Sequence, residues 1–88
     1  MGKWKKEMTE TLELPKDLVY GSVLVSVTGR EEIFIENYRG ILEYDSSHIR
    51  LQAKGCRLVI NGSHLHIRYY TNDEMKITGT LDSILYEE

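Results

Sequence analysis

Eighty-eight residues are enough for one hydrophobic core but not two, since a second domain would need about 50 residues of its own. With 41% hydrophobic and 28% charged side chains and a net charge of −3, wholesale disorder and low-complexity chains are excluded. The acidic balance disfavours nucleic acid as a partner, and apolar runs as short as residues 23–25 and 58–60 give no transmembrane segment of the roughly 20 residues that a bilayer requires.

Residues 3–12 place Trp4, Met8 and Leu12 four apart, with Lys5, Lys6, Glu7 and Glu10 facing elsewhere, which predicts a short N-terminal amphipathic helix. Pro15 stops it, so a single domain over 1–88 divides into a helix and connector (1–20) and a β domain (21–88). A helix this short must dock on something. Trp4, beside three lysines, is its candidate contact for a membrane protein or an anionic surface.

From Ser22 the apolar period changes to two, the rhythm of strands with one dry face. Val23, Val25 and Val27 point one way, followed by Ile33 and Ile35, a short run over 41–44, and Ile49, Leu51 and Ala53. Cys56, Leu58 and Ile60 come next, then Leu65, Ile67 and Tyr69 beyond Gly62, Met75 and Ile77, and a last run over 81–86. Turn chemistry separates them at Thr28-Gly29-Arg30, Arg39-Gly40, Lys54-Gly55, Asn61-Gly62, Thr71-Asn72-Asp73-Glu74 and Thr78-Gly79. About eight short strands on short links predict an all-β antiparallel meander closing into a small barrel or roll, because one open sheet would leave its apolar face wet. A short β-solenoid and a two-sheet sandwich are the alternatives. The edges of so small a meander predict homo-oligomers.

The lone Cys56 cannot staple the monomer, and no charged start followed by an apolar stretch marks a secretory signal, so a reducing, cytoplasmic compartment is expected. Cys56 shares the parity of Leu58 and Ile60 and reads as core filler. His64 and His66 would supply two ligands to a metal, but a tetrahedral site needs more, so no metal or cofactor is expected. The carboxylate pairs Glu31-Glu32, Asp73-Glu74 and Glu87-Glu88 fall in turns or at the terminus, without the cleft that acid/base work needs. No phosphate loop, dinucleotide fingerprint or nucleophile elbow is present, and the expectation is that the chain is not an enzyme.

Charge placement is the most informative feature. Residues 46–72 hold no acid, while Arg50, Lys54, Arg57 and Arg68 lie there; strand parity groups several of these with His48, His64, His66 and Tyr70 on an outward surface. Such a surface suits an acidic protein partner, or the acidic C-terminal strand of a neighbouring copy. A polyanion-binding barrel using Arg50, Lys54, Arg57 and Arg68 is the alternative. The turn Tyr38-Arg39-Gly40 adds a ring and a cation at a corner, either as a partner contact or as a packed Tyr38 beside a solvated Arg39. Candidate partner-contact residues are thus Trp4, Tyr38, Arg39, Arg50, Lys54, Arg57, Arg68 and Tyr70.

The phrases Leu12-Glu13-Leu14-Pro15, Ile35-Glu36-Asn37-Tyr38-Arg39-Gly40-Ile41 and Ile49-Arg50-Leu51 resemble the YabP/YqfC family of small sporulation proteins, its YqfC branch in particular. So do Leu58-x-Ile60-x-Gly62, Leu65-x-Ile67 and Ile77-x-Gly79-x-Leu81-x-x-Ile84-x-Tyr86, giving a match from about residue 12 to 86. The resemblance implies a role in endospore formation, on the mother-cell side of the developing envelope, and brings no catalytic residues. Cys56 and the His64/His66 pair stand outside its pattern. The combined expectation is a non-enzymatic assembly or scaffold module that binds a protein partner, a membrane protein of the sporulation programme included.

Overall fold

The computed structural model describes residues 21–88. The predicted helix and connector, with Trp4, lie outside the described residues. Six strands form: β1 (Leu24–Thr28), β2 (Glu32–Glu36), β3 (Gly40–Asp45), β4 (His48–Ala53), β5 (Cys56–Tyr70) and β6 (Glu74–Glu87). All pair antiparallel in one sheet ordered β1-β2-β6-β5-β4-β3.

The all-β antiparallel reading stands, but the strand count and the closure are corrected. β5 runs 15 residues through Gly62 and β6 runs 14 through Gly79, two glycines expected to end strands. Both mark bends inside a strand, with register shifts between Asn61 and Gly62 and between Ser63 and His66. A Cβ on Gly62 would stand 2.1 Å from the Thr80 carbonyl oxygen, and one on Gly79, at φ +141°, 2.6 Å from that of His64. The two backbones therefore cross too closely for any side chain at these points.

The bend divides the sheet into two wings. In one, β1, β2 and the start of β6 lie beside the end of β5; in the other, β3 and β4 lie beside the start of β5 and the end of β6. Ile33, Ile35, Met75 and Ile77 from the first wing and Ile49, Leu51, Leu58 and Ile60 from the second are at most 2% exposed and form one cluster. Burial that complete on one face of a single sheet requires the wings to fold over each other. Bending, rather than barrel closure, dries the apolar face, and the outer edges of β1 and β3 have no strand partner among the described residues.

Two of the hairpin turns hold the bends of the long strands. Amides displaced from the ladder need acceptors, and the turn between β3 and β4 supplies them: Leu65 N–H donates to Ser46 O (2.8 Å) and Gly62 N–H to Ser47 O (3.1 Å). The turn between β1 and β2 does likewise for β6, with Leu81 N–H to Arg30 O (2.7 Å) and Gly79 N–H to Glu31 O (3.2 Å). The Asp45 carboxylate stiffens the first of these turns by accepting from the Ser47 amide (2.8 Å) and hydroxyl (3.0 Å). Those bonds hold the Asp45 carboxyl below its ordinary pKa.

The meander is also only partial. β3 to β6 follow one another, but β2 lies beside β6 rather than β3. Residues 37–39 therefore cross from wing to wing, fixed by Asn37 N–H to Asp73 O (2.6 Å) and Arg39 N–H to Gln52 O (2.7 Å).

Candidate functional site: a groove between two strand edges

The crossing link positions the candidate site. Asn37 takes a positive φ of 70°, which turns Tyr38 inward and Arg39 outward. Tyr38 is 5% exposed, joins the core cluster and donates its hydroxyl to the Thr71 carbonyl. Burial, then the neighbouring Tyr70 and Asp73, push its phenol above the usual pKa. The packed alternative for Tyr38 is thus the one observed, while Arg39 stays exposed.

Arg39, Ile41, Tyr70, Thr71 and Asn72 with Tyr38 line a groove of about 410 Å³. Three of the sequence candidates, Tyr38, Arg39 and Tyr70, meet here although Tyr70 is far from the others in sequence. One wall begins β3 and the other ends β5, strand edges that carry no further strand partner among the described residues. Tyr70 is 62% exposed and Ile41 38%, an apolar lining open to solvent beside an exposed cation. Leu42 and Tyr44 continue this apolar character along β3.

The arginines of the acid-free stretch have a different fate. Arg50 bridges Glu43 on β3 (3.2 Å) and Glu87 on β6 (3.0 Å), and Arg57 reaches Glu87 (3.4 Å) and the Glu88 carbonyl (2.9 Å). The Arg50 hydrogen bond holds the Glu87 carboxyl below its ordinary pKa, and Glu87 in turn raises that of Arg50. His48 extends the ladder, its Nδ1 facing Asn61 Oδ1 at 3.3 Å and its Nε2 facing Glu43 Oε1 at 2.8 Å. Asn61 first, then Glu43, raise the imidazole pKa. Lys54 sits at the β4–β5 turn against Gly21, and Arg68 is exposed in the last part of β5, on the other wing. Glutamates from outside the acid-free stretch thus interleave with its arginines.

Parity failed locally as well. A register shift between Ile67 and Tyr69 turns Tyr69 to the outer face opposite Lys76, 48% exposed rather than inward. A positive φ of 55° at His64 breaks the alternation that placed His64 and His66 on one face, and both are exposed. Cys56 is half-buried rather than core. Among the described residues no group of three or more His, Cys, Asp or Glu gathers as a metal site, and no helix is long and apolar enough to cross a membrane. The apolar edge at Ile41, Leu42 and Tyr44 escaped the sequence reading; its signal is the adjacent Ile41-Leu42 pair, which violates alternation where β3 shifts register before Glu43.

Fold and groove together define a small β domain built from one folded sheet, with an open cleft at its edges. The YabP family model matches residues 21–88, which are the described residues. The chain is also 33% identical over 92 residues to the Bacillus subtilis (strain 168) protein titled "Uncharacterized protein YqfC", covering 100% of this chain and 99% of that one. The chain belongs to the YabP family, on the YqfC side that its Ile-Glu-Asn-Tyr-Arg-Gly phrase indicated. No solved structure matches it.

Proposed function

We propose that the protein is a non-enzymatic interaction module of endospore formation, acting on the mother-cell side of the developing envelope by docking a protein partner in the groove between β3 and β5. The observation that carries this reading is the exposed Arg39 beside the open rings and chains of Tyr70 and Ile41, at two strand edges free to pair. Family membership supports the sporulation setting, and a membrane protein of that programme is the partner class in view. Polyanion binding has less support, because Arg50 and Arg57 already face Glu43 and Glu87. The test is co-purification from sporulating cells, comparing wild type with Arg39→Ala and Tyr70→Ala. A partner lost from both variants, each folded as judged by circular dichroism, is the expected result. Equal recovery by wild type and variants overturns the assignment of the groove.

A further inference from the structure

The bend leaves the second wing as a sheet in the order β3, β4, β5 and the last part of β6, because β2 pairs with β6 only over residues 74–78. Its two margins are β3 and residues 83–87 of β6, neither with a further strand partner among the described residues. Exposed large apolar side chains gather at both: Ile41, Leu42 and Tyr44 on β3, with Tyr70 across the groove, and Leu85 and Tyr86 on β6. Open strand edges flanked by apolar side chains are templates for another strand.

Charge and strand direction indicate which strand. Arg39 has no ion pair among the described residues, whereas Arg30, Arg50, Arg57 and Lys76 each have one. At the other margin the Glu88 side chain also has none among the described residues, while Asp82 and Glu87 are held by arginines of their own chain. Successive strands of the wing alternate in direction, so β3 and β6 run opposite ways. A second copy displaced sideways along the sheet therefore lays its β6 end antiparallel to β3. One row of the sheet runs Gly40, Gln52, Arg57, Glu87 and the next Ile41, Leu51, Leu58, Tyr86. Continued across the seam, these rows set Tyr86 of one copy against Ile41 of the next and bring Glu88 to Arg39, with Glu43 against Leu85 and Asp45 against Ser83. Opposite charges then meet and like charges do not. Pairing β6 with itself about a two-fold axis would instead crowd Asp82, Glu87 and Glu88 of both copies at one seam.

We propose that this protein assembles head to tail, the β6 end of one copy entering the groove of the next and pairing along β3. This rests on the groove being a docking surface, for which a second copy and the sporulation partner then compete. Because the two surfaces differ, the contact repeats into chains or rings rather than stopping at a dimer.

Sedimentation velocity of the full-length protein over about a hundredfold range of concentration tests it. Wild type should grow past the dimer as concentration rises. Groove-blocked Arg39→Glu/Tyr70→Asp and end-blocked Leu85→Asp/Tyr86→Asp should each sediment as monomers. Their equimolar mixture should form a heterodimer and nothing larger, since it offers one intact groove to one intact β6 end, and that heterodimer shows both variants to be folded. Glu88→Arg should weaken assembly at least about tenfold, and adding Arg39→Glu to the same chain should restore it. Wild type that stays monomeric overturns the proposal. So does a groove-blocked chain that still dimerises, which assigns the seam to β6 against itself, or an end-blocked chain that does, which assigns it to β3 against itself. Assembly indifferent to Glu88→Arg, with no heterodimer in the mixture, overturns it as well. If assembly fails while co-purification still depends on Arg39 and Tyr70, the docking reading survives; if both are silent in both experiments, the groove itself is the wrong surface.

Discussion

At the scale of single residues, chemistry follows neighbours that topology supplies. Tyr38 and Arg39 are adjacent in sequence, yet the link between wings buries one and exposes the other. His48 shows the same dependence on partners, because Asn61 comes from β5 and Glu43 from β3. Both neighbours favour the protonated ring, so its pKa in the folded state lies above the value of about 6.5 expected in the unfolded chain. A raised folded pKa means that the native state binds the proton more tightly. The associated stabilisation is complete below about pH 6.5 and disappears as pH rises through the folded value. Urea midpoints measured from pH 5.5 to 8.5 should therefore fall more for wild type than for His48→Gln. Parallel curves would show that the His48 contacts do not persist in solution.

At the scale of elements, period-two alternation placed most of the core, although Val27, grouped with Val23 and Val25, is 43% exposed and Val59, on the parity opposite Leu58 and Ile60, is 5% exposed. Ile33, Ile35, Ile49, Leu51, Leu58, Ile60, Met75 and Ile77, all assigned inward from sequence, are fully buried. Strand ends were less legible because a glycine serves a hairpin turn and a bend inside a strand equally well, and nothing local separates the two. Gly55 turns the chain between β4 and β5, whereas Gly62 and Gly79 keep it going. What separates them is a neighbour distant in sequence, the Thr80 oxygen for Gly62 and the His64 oxygen for Gly79. The ion ladder was hidden for the same reason: Arg50 and Arg57 announce a basic surface, but Glu43 and Glu87 arrive only through strand pairing. Alanine should accordingly be tolerated at Gly40, where a Cβ meets nothing within 4 Å. At Gly62 or Gly79 it must push two backbones apart, at a cost of more than about 1 kcal/mol. Thermal unfolding of the three variants checks the order, and equal midpoints would contradict the close crossing at the bend.

At the scale of the whole molecule, sharing β5 and β6 leaves neither wing a core of its own. Ile60 on β5 pairs with Ile49 on one side and Ile84 on the other, while Ile77 pairs with Ile33 and Ile67 in the opposite wing, yet Ile60 and Ile77 lie in one buried cluster. Opening either wing would wet the inner face of both. Their apolar burial, worth about 1.5–3 kcal/mol per large side chain, is then lost together. The two wings should therefore unfold in a single transition, as small single domains usually do. Ile60→Ala, a truncation at a site with 0% exposure, should cost about 2–5 kcal/mol. It should lower by the same amount the exchange protection of core amides at Ile35 in the first wing and Leu51 in the second. Protection lost at Leu51 and retained at Ile35 would mean that the wings are separate folding units, and that the bend at Gly62 and Gly79 joins two small sheets instead of folding one.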